Sequence, residues 1–251
     1  IGWYKGSCMH CSSCIEGSHN LCRTVQPTII GSNGGFADRL RSHWAWSLPI
    51  PDGLYPAMAG PLFCAGSTVF NPLVEFGIKP TDRVGVVGIG GLGHLALGFL
   101  NAWGCEVTAF TSSLSKQDEA KRLGAHKVVA STDSEALKAI AGTLDFLLIT
   151  ANADLDWAAM LATLRGKGRL HFVGIVPGAI PVHVFDLIPQ QKTLSASPVG
   201  SPANTALMLE FCARHQILPQ VEMFPMSRVN EAVEHLRSGK ARYRVVLDAS
   251  K

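Results

Sequence analysis

From Arg83 onward the chain alternates short runs of β-branched and apolar residues with longer stretches at helical spacing. The segment RVGVVGIGGLGHLALGFLNAWGCEVTAF (83–110) opens on a β-rich run and passes through a glycine turn into an apolar helix pattern. It ends on a second strand, near Glu106–Phe110. The alternation predicts further strands near Lys127–Val129, Asp145–Ile149, Arg169–Val173 and Thr193–Ala196. Helices are predicted near Ser115–Leu123, Asp133–Ile140 and Leu155–Leu164. Six strands with intervening helices predict an α/β fold built on a doubly wound parallel sheet. Beyond it, helix patterns at Asn204–His215 and Ser227–Ser238 flank an edge-like VEMFP, and a last strand is predicted at Tyr243–Leu247.

The glycine turn carries chemistry. Gly88, Gly90 and Gly93 form G-x-G-x-x-G, with Gly91 and Leu92 between, at the junction where a predicted strand gives way to a predicted helix. That context marks a dinucleotide site. The first glycine permits the turn, the second lets the backbone approach a pyrophosphate, and the third packs helix on strand; the helix N-terminus faces the anion. An NAD site usually places Asp or Glu at the end of the second strand. Here the chain reads FTSSLSK (110–116). Thr111, Ser112 and Ser113 offer hydroxyls and Lys116 a positive charge, a set that suits a 2′-phosphate, so NADP(H) is the predicted cofactor. Asp118 and Glu119 are expected on the exposed side of the following helix.

Four of the seven cysteines lie in CMHCSSCIEGSHNLC (8–22). Cys8, Cys11, Cys14 and Cys22 follow C-x2-C-x2-C-x7-C, a spacing that can surround one Zn²⁺ tetrahedrally. A disulfide knot fits poorly, because no export signal precedes the loop and the cytosol keeps thiols reduced. An iron–sulfur cluster would need a redox partner and a further cluster run. Structural zinc is the leading assignment. His10 and His19 are expected at the surface, since four sulfurs complete the shell. Cys105 and Cys212 sit in apolar patterns and read as core residues.

Composition narrows the class. The 251 residues are 47% hydrophobic and 16% charged, with formal net charge +3 and no Lys/Arg block. Nucleic acid is therefore not a leading partner. No apolar run stands out at the ~20 residues of a membrane span. The chain reads as a soluble cytoplasmic globular protein acting on a small molecule.

The four-cysteine loop is followed by GGFADRL, IPDGL, AGPLFCAGSTVFNPL, GVVGIGGLGHLAL and ARYRVVLD. In that order they resemble the cinnamyl-alcohol-dehydrogenase branch of zinc-dependent medium-chain alcohol dehydrogenases, and especially its bacterial NADP-dependent aldehyde reductases. The resemblance implies interconversion of primary alcohols and aldehydes by zinc-assisted hydride transfer. It implies that Cys64, in PLFCAG, is one ligand of a catalytic zinc and that Thr68 lies near the nicotinamide. It also implies that Val173, Gly174, Ser197 and Val199 line the nicotinamide pocket and that the protein is a homodimer. The family's first catalytic cysteine and its Gly-His-Glu lie upstream of the four-cysteine loop, and this chain contains no Gly-His-Glu. The expectation is that the N-terminal catalytic segment is missing, which leaves a non-catalytic dinucleotide-binding module with a structural zinc as the alternative. Residues 1–55 would then be a partial catalytic domain, 56–200 the Rossmann domain, and 201–251 a return to the catalytic domain. Trp44, Trp46 and Phe63 are expected to be exposed for want of packing partners. His171, in a predicted core strand, and His183, in a Pro-bounded segment, are read as structural.

Overall fold

The computed structural model describes residues 1–250. The chain divides into two compact units, Ile1–Asn71 together with the chain from Pro198 onward, and Pro72–Ser197. The first division falls at residue 71, not near 55, because the helical segment that follows residue 55 belongs to the first unit as far as Asn71.

In the first unit, strand β1 (Tyr4–Gly6) pairs antiparallel with β2 (Gln26–Pro27). The cysteine loop between them holds one short helix, α1 (Ser12–Ile15). A continuous helical run follows: α2 (Pro56–Pro61), a π turn (Leu62–Gly66) and α3 (Ser67–Glu75). Pro56 starts it where no N–H is needed, but Pro61 and Pro72 stand inside it, which hid the helix from the sequence pattern. By length and composition this run could cross a membrane; 61% of its apolar window is buried in the protein, as in a core helix.

The second unit is built on six parallel strands: β3 (Arg83–Val87), β4 (Glu106–Thr111), β5 (Lys127–Ala130), β6 (Leu144–Ile149), β7 (Leu164–Phe172) and β8 (Thr193–Ala196). Their order across the sheet is β5-β4-β3-β6-β7-β8, the predicted doubly wound arrangement. Crossovers run through α4 (Gly93–Trp103), α5 (Gln117–Arg122), α6 (Ser134–Ala139) and α7 (Trp157–Ala162). Val84, Val86 and Val87 of β3 and Leu147, Leu148 and Ile149 of β6 are fully buried, as expected for strands covered on both faces. Strand β7 begins at Leu164, five residues before the predicted start. Its register against β6 shifts between Leu144 and Phe146, and Lys167 there takes φ +65°, so the GKG stretch is a bulge inside the strand and not a turn before it.

The chain then returns to the first unit with α8 (Pro202–His215), β9 (Val221–Pro225), α9 (Val229–Arg237) and β10 (Arg244–Asp248). Strands β9 and β10 pair in parallel. The Phe70 and Phe211 rings lie 5.4 Å apart, and Ser67 Oγ bonds Thr205 Oγ1 at 2.7 Å. Two exposure expectations are corrected here. Trp44 is 77% exposed, but Trp46 and Phe63 are buried at 7% and 8%. Trp46 finds its cover locally, edge-on to Tyr4 at 5.6 Å.

Candidate functional site

The cysteine loop brings its four sulfurs to within 4.8 Å of one another, with Cys8 and Cys14 Sγ 3.9 Å apart. A tetrahedron with arms of about 2.3 Å has edges of about 3.8 Å, so the cage has the size of a zinc–thiolate centre. The protonation preferences within it conflict. The backbone N–H of Cys8, 3.5 Å from Cys22 Sγ, and the Thr24 hydroxyl hold Cys22 down to about 6. The N–H of Cys14 favours the Cys11 thiolate, but the neighbouring sulfurs and burial outweigh it and push Cys11 up to about 11. Four thiols this close cannot all ionise without a cation among them. A divalent metal removes that conflict. His10 is exposed and His19 half-buried; the His19 ring lies 6.5 Å from that of Trp46, so the expectation of a surface position fails for His19. Neither ring joins the sulfur cluster.

The glycine turn leaves β3 at its carboxyl end. Gly88 adopts φ +93°, a region open to glycine at little cost. A Cβ on Gly93 would lie 1.9 Å from the Gly88 carbonyl oxygen, which fixes glycine where α4 meets the strand. Gly90 differs: a Cβ there would meet no protein atom within 4 Å. No packing demand within the chain accounts for Gly90. The positive dipole end of α4 lies at this turn, a position that suits an anion. Gly91 and Leu92 are half-buried beside it. Two residues not singled out in the sequence brace this turn. The buried His94 donates from Nδ1 to the Gly90 carbonyl at 3.0 Å. The Thr150 hydroxyl sits 2.9 and 2.8 Å from the carbonyls of Val87 and Gly88. A histidine four residues after Gly90 was the signal for the first; nothing in the sequence marked the second.

Strand β4 ends at Thr111, not at a carboxylate. Thr111 is buried, donates to the Ser113 carbonyl at 3.1 Å and accepts from the Ser113 N–H. Its hydroxyl braces the turn at the end of β4. Ser112 and Ser113 are exposed, with Ser113 Oγ 2.8 Å from Ser115 Oγ. Lys116 closes the short helical turn Leu114–Lys116. Asp118 is exposed in the first turn of α5, and Glu119 beside it half-buried.

Cys64 lies on the π turn and its surface is open to solvent. Atoms packed around the sulfur nevertheless push its thiol up, against the pull of Arg244 on β10. Thr68 stands one helical turn on and donates to the Cys64 carbonyl at 2.7 Å. Among the described residues, the only cluster of three or more Cys, His, Asp or Glu side chains at metal-binding distance is the four-cysteine cage. Cys64 therefore has no co-ligand set here, and these residues do not fit a catalytic metal. Val173 and Gly174 follow β7, both donating to the Ile149 carbonyl, at 3.1 and 2.9 Å. Ser197 follows β8 in the second unit; the Val199 carbonyl, in the first, accepts from Asn20 Nδ2 at 2.9 Å. Cys105 and Cys212 are buried in the core.

A family model for zinc-binding dehydrogenases matches residues 91–214. The aldehyde reductase AdhA of Synechocystis sp. is 53% identical over 251 residues, spanning all of this chain and 75% of the relative. A probable cinnamyl alcohol dehydrogenase 8A of Oryza sativa subsp. japonica is 37% identical over 259 residues, spanning all of this chain and 72% of that protein. Among solved structures, a cinnamyl alcohol dehydrogenase from Sorghum bicolor superposes with TM-score 0.93 at 34% identity, over 100% of this chain and 74% of the other. The Helicobacter pylori enzyme complexed with NADP(H) gives 0.88 at 27% identity, with the same coverage. Such identity across the whole chain, joined to a shared fold at that TM-score, places it: this protein belongs to the zinc-binding medium-chain alcohol dehydrogenases, in their cinnamyl-alcohol-dehydrogenase-like branch.

Proposed function

We propose that this oxidoreductase uses NADP(H) to interconvert primary alcohols and aldehydes, and that its cysteine cage holds one structural zinc. The carrying observation is the Gly90 turn, open to a ligand at the head of α4, in the same sheet as a β4 end bearing serines and a lysine instead of an acid. The α4 N-terminus at Gly91, Leu92 and Gly93 would hold the pyrophosphate. Ser112, Ser113 and Lys116 would hold the 2′-phosphate. The bound cofactor supplies hydride at its nicotinamide; the protein orients it. The Cys8, Cys11, Cys14 and Cys22 thiolates would hold zinc as a closed centre that binds the loop together and does no chemistry. Relatives named as an aldehyde reductase and as NADP-dependent alcohol dehydrogenases support the substrate class and the cofactor.

The test is a titration with NADPH and NADH. Lys116→Ala should cost NADPH about 1.5–3 kcal/mol, the range for a hydrogen bond to a charged group, and leave NADH unchanged. An unchanged preference in the variant would overturn the Lys116 assignment, and a wild type that favours NADH would overturn the cofactor. A second reading, dinucleotide binding without turnover, is favoured because, among the described residues, no cluster of three or more ligating side chains includes Cys64. Oxidation of NADPH with a panel of primary aldehydes separates the two. We also propose a homodimer: β8 is the outermost strand of its sheet, and Val184, Phe185 and Ile188, in the segment leading to it, are exposed. Such an edge is covered by pairing with a second copy, which the mass in solution would show.

A further inference from the structure

His171 is fully buried on β7, yet both of its ring nitrogens are engaged. Nδ1 lies 2.8 Å from Ser195 Oγ and Nε2 2.9 Å from Ser197 Oγ. The register explains the pair of contacts. His171 stands opposite Ser195 across β7 and β8, and residues two apart on an extended chain share a face. Phe76 and Phe146 close over the imidazole at 4.8 and 5.7 Å between ring centres. The Arg169 guanidinium lies 4.4 Å from the centre of the Phe76 ring. Burial, with a contribution from Arg169, brings the imidazole down to about 4, so it is neutral at ordinary pH. A neutral imidazole has one N–H and one lone pair. One serine therefore accepts from the ring and the other donates to it; both oxygens are held at the imidazole, and the accepting hydroxyl keeps its own proton for a further partner. An apolar residue would fill this face of the strand without burying a polar ring. The trio makes sense if a hydroxyl must be held in a set place.

Ser197 follows the carboxyl end of β8, on the edge of the sheet where the Gly88 turn follows β3. Open α/β sheets bind their ligands outside the carboxyl ends of the strands. From β3 the order runs β6, β7, β8, three strand spacings or about 14 Å. A dinucleotide with its pyrophosphate at α4 and its adenosine half toward β4 and Lys116 extends its other half along β6, β7 and β8. We propose that His171 is a positioning residue that fixes the Ser197 hydroxyl for the nicotinamide half of the dinucleotide. This rests on the NADP(H) reading above.

The experiment compares NADPH with 2′,5′-ADP, which carries the adenosine half alone. His171→Val and Ser197→Ala should each weaken NADPH about three- to tenfold, the effect of one neutral hydrogen bond, and leave 2′,5′-ADP unchanged. The double variant should be no weaker than either single one, and His171→Gln, whose amide can donate and accept, should recover part of the loss. Should His171→Val fail to fold, Ser197→Ala and His171→Gln carry the comparison. Equal weakening of both ligands, or no weakening of NADPH, overturns the positioning role while the cofactor reading stands. A wild type that binds neither ligand overturns both.

Discussion

Gly90→Ala separates folding from binding in one substitution. The added methyl meets no protein atom within 4 Å, and Gly90 is not among the glycines held at positive φ. The folded state should therefore tolerate it. A Gly→Ala change at a compatible position stabilises by about 0.4–1 kcal/mol through the unfolded chain, which for a chain of this size means a melting temperature unchanged or raised by about 1–3 °C. Binding should respond in the opposite direction. The methyl would occupy the surface proposed for the pyrophosphate and hold the anion off the backbone at the start of α4, at about 1.5–3 kcal/mol for a charge-assisted hydrogen bond. That is about a 10- to 150-fold loss of NADPH affinity. Gly93→Ala is the contrast. Its methyl would fall 1.9 Å from the Gly88 carbonyl oxygen and 3.0 Å from Thr150 Oγ1. Backbone cannot yield cheaply at that distance, so this variant should lose about 1–3 kcal/mol of stability before any ligand is added. Thermal melts followed by calorimetric titration with NADPH read both effects. If Gly90→Ala binds NADPH as the wild type does, the pyrophosphate does not lie on this turn. If it melts several degrees lower, the open space beside Gly90 is not there.

Protein purified without chelator should contain one zinc per chain, and Cys14→Ser should lose it and melt the loop first; iron, or no metal, by elemental analysis would refute the assignment. Asp145 tests the sheet's polar edge. Burial alone would raise its carboxyl, but the Arg83 N–H at 2.9 Å and the Arg83 and Arg165 guanidiniums hold it below the usual carboxylate range. A depressed carboxyl contributes stability above its unfolded value, about 3.9, and loses it as pH falls through the lower folded value. Asp145→Ala should accordingly cost about 1–3 kcal/mol at pH 7, chiefly by leaving the Arg83 backbone N–H without its acceptor, and urea melts should show that difference shrinking below about pH 3.9; a pH-independent difference would contradict the ion-pair account.

The sheet was the most legible part of the fold because its central strands are buried on both faces and its strands alternate with helices. Runs such as Asp145–Ile149 and Thr193–Ala196 need no partner residues to declare themselves, and the structure has strands at Leu144–Ile149 and Thr193–Ala196. The first unit was less legible for two physical reasons. Its main helix is punctuated by prolines at 56, 61 and 72, and the π turn after Pro61 absorbs the missing donor without ending the helix. Its small strands are two or three residues long, too short to show a period. The expectation of exposure at Trp46 and Phe63 failed because it was drawn from what packing partners the family resemblance supplies, whereas Tyr4 and the segment around Gly2 lie against them within this chain.

At the site, residue type and spacing were enough where the chemistry is local. Four cysteines within one loop lie close enough to meet one another, and a glycine at 93 is required chiefly by the Gly88 carbonyl five residues before it. Hydroxyl roles were not legible in the same way, because a hydroxyl turns toward whichever partner the fold places nearest. Thr111 read as a ligand donor, and in the fold its hydroxyl donates to Ser113. Thr150, unremarked in the sequence, holds the glycine turn. His171 is legible only in three dimensions. Its identity says only that a polar ring lies in a β-rich run; that both nitrogens find serines depends on β7 and β8 being neighbours in register, a fact of topology that no window along the chain contains.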